Sequence, residues 1–331
     1  MSGPDVRLGL HLSAEEHPPG FLVETAVKAE RAGFHFVTVS DHFHPWTTSQ
    51  GESPMVWAVL GGIATATERV GVGTAVTCPT IRTHPAIVAH AAATVGAMMP
   101  GRFFLGVGTG ERLNESIHGD RWPPATVRRE MLEEAVEVIR ALWSGEVVRA
   151  HHGRHYTVER ARLFTRPEQP PPIVVSGFGP ESVELAGRIG DGYMHVAPDA
   201  ESVDGFRAAG GAGKPCYGKL DSCVAADDAT ARRIAFETWP TSALAGELGQ
   251  ELATPEHYEQ AAANVTEEQV AEGILCSNDA GRHLEAIGEY ADAGFDHVLV
   301  QQCGDDQDRL IALYEQEVLP ELTAPRSRRP G

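Results

Sequence analysis

Short apolar runs of strand length alternate with amphipathic stretches of helical period along almost the whole chain. VRLGLHL (6–12) opens the pattern as a strand, and FLVETAVKAERAG follows with helical spacing and a stop at Gly33. HFVTVSDHF, VGVGTAVT, RFFLGVGTG, PPIVVSGF, DGYMHV, LDSCVAA and DHVLVQQ read as further strands. Helical stretches separate them. The clearest, TVRREMLEEAVEVIRALWSG, carries Met131, Leu132, Ala135, Val138, Ile139 and Leu142 on one face and charges on the other. VVRAHHGRHYTVERARL reads as a β-hairpin turning at Gly153, an insertion between units. Residues 241–272 break the rhythm with small, polar and acidic residues, which predicts a partly helical excursion over one end. About eight βα units in one chain predict a single (β/α)8 TIM barrel over residues 1–322, with a doubly wound sheet as the alternative. The tail TAPRSRRPG (323–331) is expected to be disordered.

Composition narrows the function. The 331 residues are 42% hydrophobic and 22% charged, enough for a sizeable core. No apolar run reaches the roughly 18 residues of a membrane span, and the N-terminus lacks a basic region followed by an apolar one. A cytoplasmic location is expected. Cys78, Cys216, Cys223, Cys276 and Cys303 are widely spaced with no C-x-x-C pair, which argues against a zinc ribbon or disulfide framework. The net charge of −19 disfavours nucleic acid and anionic membrane as partners. Lys28, Lys214 and Lys219 are the only lysines, so few phosphate ligands of that type exist.

In a barrel, polar residues just past strand C-termini are site candidates. Three clusters qualify: VSDHFHPW (39–46), GVGTGERLNE (106–115) and SGFGPE (176–181). His42 and His44 are two apart and could share a strand face around a metal. Pro45 ends the strand, however, and no carboxylate–histidine grouping supports the ion. No metal is therefore expected, which leaves a structural histidine or a proton carrier with a pKa near neutrality. GVGTGE fails the G-x-G-x-x-G dinucleotide spacing and places Glu111 where a pyrophosphate would sit. Gly106, Gly108 and Gly110 suit close approach of a flat ligand, with the Glu111 carboxyl beside it as a proton donor. Gly179 before Pro180 leaves free N–H groups at a helix start, which can hold a phosphate.

Read in order, SDHFHPW, GTAVTCPT, HPAIVAHAAATVGAMMPGRFFLGVGTGERLNE and RALWSGE resemble the luciferase-like oxidoreductase superfamily. Within it, the chain is most similar to the family of F420-dependent glucose-6-phosphate dehydrogenase, from about Val6 to Leu322. The resemblance implies a bacterial luciferase-like barrel binding coenzyme F420 in its mouth, usually as a homodimer. It places Asp41 at the deazaflavin ring and makes His42 the base for a substrate hydroxyl proton. Trp46 would wall the site and Glu111 would be the acid that protonates the reduced ring system. Ala75–Val76 would be a cis peptide bulging behind the ring. Cys78, Thr109, Gly110 and Asn114 would line the cofactor, and Ser176, Gly177, Phe178 and Gly179 would hold its phosphate and tail.

The departures concern the substrate. Where the family's sugar-phosphate enzyme uses a Thr and a Lys after DG(Y/F), this chain has Val196 and Asp199. Residues 241–272 contain no Lys or Arg, and the family's Arg position is Gly273. A dianionic phosphate would meet repulsion there. The expected enzyme is therefore an F420-dependent oxidoreductase acting on a non-phosphorylated substrate, with Tyr193, Met194 and Val196 lining the pocket. Reduction of C=C, C=N or C=O and oxidation of an alcohol are both open, on a small molecule or a modified peptide. The alternatives are a sugar-phosphate dehydrogenase, an FMN-dependent monooxygenase of the same superfamily, or a silent flavin-binding barrel. His44 has no assigned role.

Overall fold

Each apolar run becomes a parallel strand because a helix carries the chain back to the same end before the next one starts. The computed structural model describes residues 6–244 and 246–323. In chain order its strands are β1 (Arg7–Leu12), β2 (Phe36–Val39), β3 (Gly71–Thr74) and β4 (Phe103–Val107). An antiparallel hairpin follows, β5 (Val148–His152) and β6 (Thr157–Ala161), turning through Gly153 as expected. Then come β7 (Ile173–Ser176), β8 (Gly192–His195), β9 (Cys216–Cys223), the two-residue β10 (Leu275–Cys276) and β11 (His297–Gln302). The parallel order β9-β11-β1-β2-β3-β4-β7-β8 closes through a β8–β9 pairing, giving an eight-stranded TIM barrel. Beyond the end of β8, β10 takes the vacated edge of β9 at Ser222 and Cys223.

The interior follows the two-residue alternation of the strands. Phe36, Phe104, Val174, Met194, Tyr217 and Leu299 meet inside the barrel, with Phe104 stacked on Tyr217 at 5.2 Å and Phe36 edge-on to it at 5.6 Å. Two neighbours must be glycine to admit these rings. A Cβ on Gly9 would lie 2.3 Å from the Phe36 ring, and one on Gly73 would lie 2.2 Å from Phe104. The opposite strand faces pack against the helices in the main core.

Local signals explain most helix ends. Gly33 caps Pro19–Ala32 at φ 96°, and Asp199, Asp227, Thr254 and Asp279 accept backbone N–H bonds at later helix starts. Three boundaries differ from the sequence expectation. β2 stops at Val39, so Ser40 to Trp46 form a loop over the mouth rather than strand. β9 starts at Cys216, four residues before Leu220, and the extra residues carry Tyr217 and Lys219 inward. The helix expected at SVDGFRAAG runs Ala200–Phe206 and then widens into a π turn at Arg207–Gly211.

The excursion between β9 and β11 is partly helical, with Leu248–Glu251, Pro255–Ala262 and Glu267–Gly273. The expected disordered tail lies outside the described residues, except Thr323, which ends the last helix, Leu319–Thr323. All five cysteines are buried and unbridged. Among the described residues no helix is long and apolar enough to cross a membrane.

Phe36 holds the barrel floor together, so Phe36→Ala is expected to cost about 3–5 kcal/mol of unfolding free energy. Guanidinium denaturation checks this; a loss under about 1 kcal/mol would show that the floor tolerates the void.

Candidate active site

A cavity of about 640 Å³ opens at the C-terminal ends of the strands. Its sides come from the loops after β2, β3, β4 and β7, and part of its rim from Gly246 to Gln250 of the excursion. The three clusters singled out in the sequence all reach it, because strand C-termini in a closed parallel barrel share one end.

His42 stands at the centre, its side chain 12% exposed. Nδ1 lies 3.0 Å from Glu15 Oε1, and Nε2 lies 3.6 Å from Glu111 Oε1. The first contact is off the line of a hydrogen bond, since Nδ1 has no aligned hydrogen-bond partner. Trp46 meets the imidazole edge-on at 4.9 Å and Tyr258 edge-on at 5.2 Å. Glu15 is buried and receives hydroxyls from Ser40 at 2.7 Å and Ser13 at 2.9 Å. Burial pushes its pKa up, but the neighbouring His42 side chain and the Ser40 hydroxyl outweigh that and hold the carboxyl below its ordinary value. Glu15 was missed by the sequence reading. It follows β1 directly in SAEEH, so the rule applied to the other strand ends would have found it.

Asp41 lies against the ring wall of the cavity but is fully engaged. Arg82 Nη2 donates to its Oδ1 at 2.9 Å, and Thr77 Oγ1 donates to its Oδ2 at 2.8 Å. Arg82 Nε also lies 3.4 Å from buried Glu115, whose Oε2 accepts backbone N–H bonds from Ile81 and Arg82. Burial pushes Glu115 up, and burial likewise opposes the Arg82 charge, but Asp41 and Glu115 more than restore it. The cluster locks the β3 and β4 loops together. Arg82, Thr77 and Glu115 were not singled out in the sequence.

Ala75–Val76 is a cis peptide bond, and both residues line the cavity with Cys78, Thr109 and Gly110. Burial, helped by Glu115, pushes the Cys78 thiol up, so Cys78 stays a neutral wall residue. Backbone crowding explains the glycines after β4. A Cβ on Gly106 would lie 2.0 Å from the Thr74 carbonyl oxygen, and Gly110 adopts φ +73°. Across the cavity, Ser176, Gly177, Phe178 and Gly179 lead into the ten-residue helix Pro180–Ile189, whose N-cap Gly179 makes no side-chain cap. This slot fits a flat ring with an anionic tail: close backbone on one side and uncapped N–H groups at the far end.

Two residues sit elsewhere than expected. Asn114 is buried under the loop and not on the cavity: its Oδ1 accepts from Phe43 and His44 N–H at 2.7 and 2.9 Å, and its Nδ2 donates to Glu111 at 2.5 Å. It is a splint between the His42 loop and Glu111. Tyr193 faces outward against Phe206, its hydroxyl bonded to the Gly177 carbonyl, while Met194 and Val196 do line the pocket. The inward register of β8 belongs to Met194, one residue along. His44 packs its ring nitrogen on the Leu113 carbonyl at 3.1 Å and helps fix the loop.

The barrel sets a glycine-lined slot beside the Glu15–His42–Glu111 array. The profile of the family described as luciferase-like monooxygenase matches residues 5–297, and the chain belongs to that family. Among curated relatives, it is 38% identical over 345 residues to an F420-dependent glucose-6-phosphate dehydrogenase of Nakamurella multipartita, covering 98% of each chain. A Microbacterium testaceum protein of the same description is 36% identical over 330 residues, with 96% of this chain and 97% of the relative covered. Among solved structures, an F420-dependent secondary alcohol dehydrogenase in complex with an F420–acetone adduct superposes with a TM-score of 0.90 at 30% identity, covering 96% of this chain and 99% of that one. The coenzyme F420 dependent tetrahydromethanopterin reductase of Methanopyrus kandleri shares the fold, with a TM-score of 0.74 at 20% identity and coverage of 96% and 99%.

The depressed Glu15 carboxyl stabilises the fold above the ordinary carboxylate range, and this contribution is lost as pH falls through its lower folded value. Glu15→Gln is expected to lose about 1–3 kcal/mol at neutral pH and to lack that acid-side decline. Urea unfolding across the acid range checks both; equal curves for the two proteins would remove Glu15 as the buried counter-charge.

Proposed function

We propose that the chain is a coenzyme F420-dependent oxidoreductase that moves hydride between the deazaflavin and a non-phosphorylated substrate. The observation that carries this reading is His42, set between Glu15 and Glu111 beside the glycine-lined slot. The descriptions of the most similar relatives support the choice of cofactor over FMN.

When bound, the deazaflavin supplies the hydride acceptor or donor. Ala75, Val76, Cys78, Thr109 and Gly110 would hold its ring, and Ser176 to Gly179 its tail. His42 takes the proton of a substrate hydroxyl, or returns one in the reducing direction, and Glu15 stabilises the imidazolium that results. Glu111, held by Asn114 and close to Nε2, receives or supplies the second proton. Trp46 closes the wall beside His42 and keeps water from the reacting atoms.

The relatives named for glucose 6-phosphate make that sugar the alternative substrate. Three features weigh against it. Val196 presents an apolar chain to the cavity, Asp199 is occupied as a helix cap, and each cation lining the cavity already has an acidic partner. Lys219 pairs with Asp221, Arg128 with Glu251 and Arg129 with Glu181. A dianionic phosphate would have to displace one of them.

With F420, the enzyme is expected to turn over a neutral alcohol or its ketone and to leave glucose 6-phosphate untouched. Rapid bleaching of the deazaflavin absorbance by the sugar phosphate would overturn the substrate assignment, and tighter binding of FMN in a fluorescence titration would overturn the cofactor. His42→Ala and Glu111→Gln should each lower turnover by about 10²–10⁴-fold while retaining cofactor binding.

A further inference from the structure

Lys219 rises from the floor of the barrel into the cavity. It lies in register with Leu299, a member of the ring-filled interior, and its side chain lines the cavity wall. Two neighbours hold it. Nζ donates to the carboxylate of Asp221, two residues on along the same strand face, and lies 5.9 Å over the Trp239 ring. Trp239 is itself fixed, because Glu16 accepts its indole N–H at 2.7 Å.

An ammonium carries three donors. Among the described residues Asp221 is the one hydrogen-bond partner of Nζ, which leaves two donors unspent. The side chain is 18% exposed where it borders the cavity, so those donors are open to whatever enters. The surrounding charge selects the acceptor. Asp41, Glu111, Glu115 and Glu247 line the cavity against Lys219, Arg128 and Arg129, and Asp221 already matches Lys219. A carboxylate or phosphate would meet a surplus of negative charge. A hydroxyl or carbonyl oxygen accepts from Nζ without that penalty.

His42 lines the same cavity. Buried His11 lies near both groups: burial first, then Lys219, push its pKa down to about 3, and His42 acts in the same direction. The proton carrier and the ammonium thus share one neighbour, and a substrate with its carbinol at His42 can set a second oxygen on Nζ.

We propose that Lys219 is a specificity-determining residue that donates to a second, neutral oxygen of the substrate, so that the enzyme prefers polyhydroxylated alcohols to simple ones. This rests on the oxidoreductase reading above and names the substrate class of that same site. The probe is myo-inositol, because every carbinol of its ring is flanked by others. In its oxidation the carbinol C–H electron pair leaves as hydride to F420, the O–H proton goes to His42, and the ring ketone forms. Cyclohexanol has the same ring with a single hydroxyl.

Wild-type enzyme should prefer myo-inositol over cyclohexanol in kcat/KM by at least about tenfold. Lys219→Met should bring that ratio to about one, chiefly by raising KM for myo-inositol. Lys219→Met combined with Asp221→Asn leaves no lone carboxylate and repeats the test if the single variant does not fold. A wild-type ratio near one, or a ratio kept by the variant, would sink the proposal. Failure of wild type to oxidise either alcohol would instead strike the oxidoreductase reading. The polyol site is then decided by tryptophan fluorescence, since Trp239 borders Lys219. Saturable quenching by myo-inositol that is lost in Lys219→Met supports it, and no quenching, or quenching kept by the variant, overturns it.

Discussion

A parallel barrel has to be stopped from within, and here three rings stop it. Phe36, Phe104 and Tyr217 fill the interior below the mouth, and Gly9 and Gly73 give up their side chains to let the rings in. The plug makes the space above it blind, so whatever enters from the strand C-termini rests on a floor and cannot pass through. Above that floor lie His11, Thr38, Gln301 and Asp221, level with one another by register, and then the loop that carries His42. Asp41 and Glu115 are matched by Arg82, and Lys219 by Asp221, while Glu15 and Glu111 flank His42. A ligand anion would have to displace one of these partners, since the Lys and Arg side chains lining the cavity are each paired with a carboxylate.

The architecture was legible because alternation of period two with period 3.6 is a property of the burial pattern itself. The three clusters at strand ends were legible for the same reason, since a closed barrel brings those ends together. Other things were not. Tyr193 and Met194 are adjacent and equally apolar to the eye, and the inward face of β8 depends on its pairing with β7 and β9. The resemblance implied Asn114 as a cofactor contact, yet a single helical turn at Arg112–Glu115 sets it beneath the loop. Arg82 serves Asp41 across a separation in sequence that no local motif records. Glu15 was within reach of the barrel rule, but the acidic pair in SAEEH matches no motif.

The loops of the site are held by short polar ties more than by packing. Asn114 links the backbone of Phe43 and His44 to Glu111, and Ser53 donates to the His42 carbonyl at 2.9 Å. Glu16 accepts from the Trp239 indole and from Gly304 N–H, each at 2.7 Å, joining the loop after β1 to the start of the excursion. Burial pushes its carboxyl up to about 7 against those donors. Arg128, its side chain 3% exposed, stacks on Trp122 at 4.2 Å and reaches Glu251 and Gln250, so the rim of the cavity is clasped from the opposite wall. These ties fix the loops around the cavity relative to one another.

The pairing of β11 directly on β9 has a consequence for descent. The sheet runs unbroken across that seam, while β10 pairs only with the end of β9, and an apolar cluster joins Val270, Ile274 and Cys276 of this stretch to Ala231 and Ala235. The rim of the cavity is thus a cartridge, removable in principle without reopening the sheet. Mutation can lengthen, shorten or recharge that stretch while the floor keeps its place. A lineage built this way can change its diet by rewriting one segment, leaving its chemistry alone.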